Sequence, residues 1–487
     1  MPEKSLKQKA VSGLIWASIQ KFGTLGVSFI SNIILARILS PDDYGMIGML
    51  AVFIAISNTF IDGGFGSALI QKKSPSETDY STVFYFNILL SLILYIILFC
   101  CAPIIEQFYK DLNGLSHILR VQGIVLVLNA LTVVQFNKLR KRMNFKLLSS
   151  INIYSALFSV AVAIAMAYSG FGVWSLVFQQ ISLSAANSIL LWLYCRWKPV
   201  SEFSFKSLRE LFGFGSFIMF SNLLNSLGNN INGLLIGKFF SPSTLGYFSQ
   251  AKKIEDMSSL GILAVIEQVT YPMLVDVKDD YRRMTNVLAK FNNLLLAVVL
   301  PFMLCLLLTA QPIIILLFSD KWLLSVPLLQ ILAIHGIFIC MQGSNYNAIA
   351  AIGKSKILFK WTIIKRITNI SLLIVFLLVW GFNGLMWGIV LTGALIAGCN
   401  MYLVDKYIGF KFWIQIKLML PIILTAILPF IPCFFIMQRF SMNSSSSLFD
   451  ISIGCIYLIC YILLIYILPI GIIKEIKFEL IKMFNKK

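Results

Sequence analysis

Long apolar runs alternate with short polar breaks along the whole chain of 487 residues. The runs are continuous rather than alternating, and most exceed the roughly 20 residues that carry a helix across a bilayer. A segment in lipid must satisfy its own backbone polar groups, which leaves helices or closed barrels, and unbroken runs select helices. The pattern predicts an all-α polytopic membrane protein with about 14 spans. They fall at 11–36, 44–70, 80–104, 117–136, 148–168, 171–194, 210–237, 244–274, 285–311, 324–350, 357–379, 384–404, 416–437 and 449–473.

One polar break, RILSPDDYGMI from Arg37 to Ile47, has an echo in KFFSPSTLGYF from Lys238 to Phe248, with a basic residue, Ser-Pro and Gly in the same columns 201 positions apart. Tyr80 and Tyr281 keep the same offset. GFGVWS from Gly170 is answered by GFNGLMWG from Gly381, and the basic loop 138–146 by 354–366. The common order predicts two copies of a six-helix unit. An even number of spans per copy makes the copies parallel, related by an axis along the membrane normal. The expected organisation is a six-helix lobe over 1–200, a second over 201–408, and two additional helices over 409–487.

Composition agrees: 58% of residues are hydrophobic and 13% charged, against roughly a quarter charged in soluble domains. The net charge of +19 raises nucleic acid as a partner, but the placement of the charges excludes it. With a cytoplasmic N-terminus, 31 of the 40 Lys and Arg fall in inside segments and six outside, a bias that puts both termini in the cytoplasm. Nine cysteines without a CxxC pair and two histidines, His117 and His335, offer neither a metal site nor a disulfide framework. The apolar run from Val11 to Ala36 is too long for a signal-peptide core and is expected to remain as the first span.

Polar residues within the runs are the candidate chemistry, because charge at bilayer depth is costly. Lys21 lies about ten residues into span 1, on a stripe with Ser18, Ser28 and Asn32. Asn222, Asn225, Asn229 and Asn232 form a stripe on span 7, and Ser249, Lys252, Asp256 and Ser259 another on span 8, with Lys253 and Glu255 beside it. Each has a plainer reading. Lys21 can snorkel, the asparagines can bond helix to helix, and span 8 can begin only near Met257, leaving Lys252 to Asp256 in water. The repeat argues against the last by aligning Leu245 with Tyr44, where span 2 begins. Asp62, followed by three glycines in DGGFG, and Glu267 in VIEQVTYP read as coupling or gating carboxylates or as residues of helix-end turns. Arg37 and Lys238 are matched interface anchors that can edge a cavity mouth. Lysines in a lumen suit a pyrophosphate, amides suit sugar hydroxyls, and a buried carboxylate can couple transport to protons.

The stretches SGLIWASIQKFGTLGVSFISNIILARILSPDDYGMIGMLAVF, DGGFGSALIQKK and LLIGKFFSPSTLGYFSQAKKIE resemble the Wzx-type flippases, the polysaccharide transport branch of the multidrug/oligosaccharidyl-lipid/polysaccharide exporter superfamily. The resemblance covers essentially the full chain. It implies two six-helix lobes around a central cavity in a bacterial inner membrane. The substrate would be undecaprenyl-pyrophosphate-linked oligosaccharide, moved from the cytoplasmic to the periplasmic leaflet by a proton or sodium gradient for O-antigen, capsule or exopolysaccharide synthesis, beside a polymerase and other assembly proteins. It also implies charged cavity residues on spans 1, 2, 7 and 8, where Lys21, Asp62, Lys252, Lys253, Glu255 and Asp256 fall. Relatives often carry arginine where this chain has lysine, so the region carries over rather than individual roles.

Three other readings compete. A cation-coupled drug exporter of the same superfamily would favour acidic and aromatic cavity residues over lysines. A membrane polymerase or glycosyltransferase needs a sizeable catalytic loop, whereas the longest connections are about fifteen residues. No GxxxxGK[ST] or HExxH pattern supports ATP or zinc chemistry, and no cofactor is expected. A non-transporting scaffold would not require inward polar stripes.

Overall fold

The computed structural model describes residues 6–109, 112–441 and 447–467. Lys4, Lys110, the basic residues from Lys474 onward and the expected span end at 468–473 lie outside them. Among the described residues there is no strand. The helices are α1 (Leu6–Ile38), α2 (Pro41–Asp62), α3 (Phe65–Gln71), α4 (Glu77–Phe108), α5 (Leu115–Gln122), α6 (Ile124–Ala130), α7 (Val133–Lys141), α8 (Phe145–Tyr168) and α9 (Trp174–Cys195). After these come α10 (Phe205–Phe239), α11 (Pro242–Asp276), α12 (Tyr281–Leu308), α13 (Ala310–Phe318), α14 (Ser325–Ala351), α15 (Ser355–Ile408), α16 (Phe412–Ser441) and α17 (Ser447–Ile467).

Eleven of the described helical segments are long and apolar enough to cross a membrane, or twelve if Phe205–Gly213 and Gly215–Phe239, bent by 52°, form one span. This is fewer than the expected count, and one difference has a clear cause. That difference is one of counting, because the expected spans 357–379 and 384–404 lie on either side of a break within α15 at Gly381 (φ 60°, ψ −140°). A Cβ at Gly384 would overlap the Phe376 carbonyl and one at Gly388 would press on the Phe376 side chain, so the chain doubles back there without a polar loop.

The chain forms two compact units, Met1–Gly246 and Tyr247–Lys487. In the first, the Ser-Pro break is a helix start. Ser40 caps α2 in a reciprocal capping box with Asp43, and Pro41 occupies the first turn, where its missing N–H costs nothing. The two Ser-Pro copies meet. A Cβ on Gly45 would overlap the Pro242 carbonyl, and one on Gly246 would overlap the Pro41 carbonyl. Ser243 Oγ donates to Asp42 Oδ1 at 2.6 Å. Positions 41 and 242, 42 and 243, and 45 and 246 are each 201 apart, so the contact is reciprocal: the sequence offset reappears as a local two-fold in space.

The opposite end of this unit is held by charge. Lys138 Nζ lies 2.7 Å from Glu77 Oε1 and 4.8 Å from the Tyr80 ring centroid, while Trp197 Nε1 donates to Glu77 Oε2 at 2.6 Å. This polar knot sits on a core that includes Phe65, Phe84, Val134 and Leu191. Lys72 bridges Asp79 and Glu210, each at 3.1 Å; burial works against its ammonium, but those two bonds hold it above the ordinary lysine value. Replacing Lys138 with methionine keeps the stem and removes an ion pair and a cation–π contact. The expected cost is about 1–2 kcal/mol, read as a lower unfolding temperature of the detergent-solubilised protein; an unchanged temperature would mean that the knot adds nothing.

In the second unit α16 and α17 pack on α12. Tyr461 Oη donates to the Ala297 carbonyl at 2.7 Å, and a core forms from Leu296, Leu300, Met401, Met419 and Ile422. Asn292 Nδ2 donates to Asn345 Oδ1 at 3.1 Å between α12 and α14, a polar tie of the kind that joins helices in lipid.

Candidate functional site

Two clefts in the first unit share Asn58 and Asp62. The larger, about 470 Å³, runs between α2 and α10 and is lined by Ala55, Asn58, Thr59 and Asp62 from one side and Asn222, Asn225, Ser226, Asn229 and Asn230 from the other. Helical spacing explains both walls: steps of three and four put Asn222, Asn225 and Asn229 on one face, and Asn58 and Asp62 one turn apart. The second, about 410 Å³, adds Asn129, Thr132, Phe136, Asn137 and Arg140. It opens where α6 and α7 are separated by Leu131 and Thr132, and Asn129 Nδ2 donates to Asn58 Oδ1 at 3.0 Å. Volumes of this size are typical of small-ligand sites.

Asp62 is the last residue of α2, capped by Gly63 in the left-handed conformation as the helix-end reading expects, and it also lines both clefts. The C-terminal end of a helix carries partial negative charge and disfavours a carboxylate. Asp62 is nonetheless exposed there, with Arg140 across the cleft. The break after Asp62 packs closely on α10, where a Cβ on Gly64 would overlap the Gly215 carbonyl. The site therefore offers a carboxylate, a guanidinium and a set of amide donors and acceptors.

α11 begins at Pro242, so Lys252 to Asp256, in the second unit, lie inside a helix, ten or more residues from its start. The helix thus starts well before Met257. Lys252 is not a bare cation. Its Nζ pairs with Glu255 Oε2 and, at 2.7 Å, with Asp256 Oδ1. Glu255 is fully buried, and its Oε1 accepts from Ser259 Oγ at 3.0 Å and faces His335 Nδ1 on α14 at 3.9 Å. Further along α11, Glu267 Oε1 accepts from Asn347 Nδ2 at 3.0 Å, next to Gly343, where a Cβ would overlap that same oxygen.

The remaining expected residues are dispersed. Lys21 is exposed on α1 and lines neither cleft. Asn32 is half-buried and Arg37 exposed near the end of α1. Lys238 lies 4.0 Å over the Phe108 ring, an anchor's contact. Asn232 is half-buried, and its buried Oδ1 has no hydrogen-bond partner among the described residues. Lys253 is exposed beside the Lys252 cluster. Sequence reasoning missed Asn58, although it lies one turn before Asp62 and was therefore readable. It also missed Asn129, Arg140 and His335, which reach their sites only through tertiary packing.

A family profile described as "Polysaccharide biosynthesis protein" matches residues 34–327. The chain is similar to the teichuronic acid biosynthesis protein TuaB of Bacillus subtilis (strain 168), 26% identical over 73% of this chain and 74% of that one. It is 25% identical to the succinoglycan biosynthesis transport protein ExoT of Rhizobium meliloti (strain 1021), over 73% and 72% of the two chains. Its fold is similar to that of the lipid II flippase MurJ in an inward closed conformation, with a TM-score of 0.74 at 16% identity, covering 93% of this chain and 98% of that one.

Proposed function

The chain belongs to the polysaccharide biosynthesis protein family, and from that premise we propose that it is a flippase for polyprenyl-pyrophosphate-linked oligosaccharide. It carries the repeat unit from the cytoplasmic to the outer leaflet of a bacterial plasma membrane by alternating access, coupled to an ion gradient. This is transport rather than covalent chemistry. The architecture that goes with it is fourteen spans in two parallel six-helix copies plus two C-terminal helices, with both termini cytoplasmic.

The observation that carries the reading is the pair of amide-rich clefts meeting at Asp62. Sugar hydroxyls donate and accept, and amide groups answer both roles. Arg140 is suited to a phosphate oxygen, since guanidinium binds it with fixed, paired donors. Asp62, Glu255, Asp256 and Glu267 are the proposed coupling or gating carboxylates, and Lys21, Asn32, Asn232, Lys252 and Lys253 remain proposed cavity residues at the edges of this picture. A drug exporter would present aromatic and acidic walls to organic cations; the cleft facing α10 is walled chiefly by asparagine.

Reconstituted protein with a lipid-linked oligosaccharide tests this directly through leaflet exchange. Asn222→Ala with Asn225→Ala removes two amides of about 0.5–1.5 kcal/mol each, so exchange is expected to fall roughly tenfold while the unfolding temperature holds. Undiminished exchange would remove the cleft from the substrate path, and transport of organic cations instead would move the chain to the exporter reading.

A further inference from the structure

We propose that Glu255 and His335 form a one-proton site, with the proton held between Glu255 Oε1 and His335 Nδ1, and that this is the proton whose movement drives exchange. The proposal rests on the flippase reading and names its coupling ion.

Three observations converge. First, the geometry is that of a hydrogen bond left open. Oε1 and Nδ1 stand 3.9 Å apart, too far for a bond of about 2.8 Å, and Nδ1 is buried with no hydrogen-bond partner among the described residues. Second, the surroundings hold the pair but do not fill the gap. A Cβ on Gly336 would come within 3.1 Å of Oε1 and 2.9 Å of Met303 Sδ on α12, and one on Gly393 of α15 within 2.8 Å of His335 Cδ2. Glycine at both positions thus lets carboxylate and imidazole approach. Third, the charge is short by one. Lys252 contributes +1 and Glu255 and Asp256 −1 each, so the ion-paired cluster sums to −1. Asp256 is 39% exposed and reaches water, whereas Glu255 is fully buried, and a single added proton on the buried side brings the sum to zero.

The other groups facing the pair are Ser259, bonded to Oε1, and the Cys340 thiol, which donates to the Ser259 carbonyl at 3.7 Å. Lys253 is the exposed neighbour; Glu267 lies twelve residues further along α11 and is bonded to Asn347. A sodium ion fits poorly, because a hard cation seeks several oxygens. Here Oε2 is already engaged by Lys252, and the free partner is an imidazole nitrogen. The step needs no co-reactant: a proton from water forms one O–H or N–H bond, the hydrogen bond closes, and the proton leaves to water when that bond breaks.

The two histidines allow a direct test. His117→Asn leaves His335 as the only imidazole, so the full chain labelled with ¹⁵N-histidine gives one residue's signals in NMR. Over about pH 5–8 the Nδ1 resonance is expected to respond to proton binding, with a midpoint displaced by at least about one pH unit in Glu255→Gln. In proteoliposomes with a fluorescent polyprenyl-pyrophosphate oligosaccharide, an imposed proton gradient is expected to speed exchange about tenfold or more in wild type and in His117→Asn, and to have no effect in His335→Gln or His335→Asn. A static Nδ1 resonance, a midpoint indifferent to Glu255→Gln, a gradient response that survives both His335 variants, or a response to sodium alone would overturn the proposal. If wild type exchanges no lipid but Nδ1 still titrates in a Glu255-dependent way, the proton site stands and the flippase reading falls.

Discussion

Lys252→Ala is expected to destabilise the protein by about 3–5 kcal/mol, because it strands Glu255 as a buried carboxylate with its cation gone. The magnitude follows from burial. The Glu255 side chain is 0% exposed, against 39% for Asp256, so water can take over the role of the ammonium at Asp256 but not at Glu255. The hydrogen bond from Ser259 remains and offsets only part of the loss. Lys252→Ala combined with Glu255→Gln removes cation and anion together and is expected to recover more than half of the deficit, since a neutral amide leaves no charge to strand. Thermal unfolding in detergent measures both. A neutral single variant, or a double variant worse than the single, would show that the pair does not hold α11.

The second large effect concerns the reciprocal Ser-Pro contact. Asp42→Cys with Ser243→Cys, oxidised to a disulfide, is expected to reduce leaflet exchange more than tenfold, with recovery on reduction. The proposed alternating access requires a closed end of the cavity to part, and in the proposed orientation this end lies outside. Ser243 Oγ and Asp42 Oδ1 are in contact at 2.6 Å, and a disulfide requires the cysteine Cβ atoms to come about 3.5–4.5 Å apart. The oxidised wild-type chain controls for the nine native cysteines. Full exchange through a formed cross-link would mean that these helix starts stay together through the cycle. Gly45→Val tests the converse: its side chain cannot enter the space taken by the Pro242 carbonyl, so closure rather than opening is impaired.

Much of this was legible from residue order because it is local or periodic. The helices follow from run length and the start of α2 from Ser40, Pro41 and Asp43. The depth of Lys252 within α11 follows from the 201-residue offset. The pairing of Lys252 with Glu255 and Asp256 was also readable, since steps of three and four put them on one face; treating the lysines as free phosphate ligands overlooked it. Asn129 and Arg140 were not readable as partners of Asp62, because only the separation of α6 from α7 turns them toward it. His335 had no sequence signal at all: a lone histidine in an apolar run acquires meaning only from the carboxylate across from it. The reversal inside α15 falls at Gly381, in the gap that hydropathy leaves between the runs ending at 379 and starting at 384.

Lys138 serves at two times in the life of the molecule. In the proposed orientation it is one of 31 basic residues on the cytoplasmic side, a vote the others can carry without it during insertion. Once folded, it is the buried ammonium that Glu77, Tyr80 and Trp197 surround. A neutral substitution there should leave the chain inserted the right way round and fail afterwards, so that its phenotype belongs to folding and turnover rather than to topogenesis.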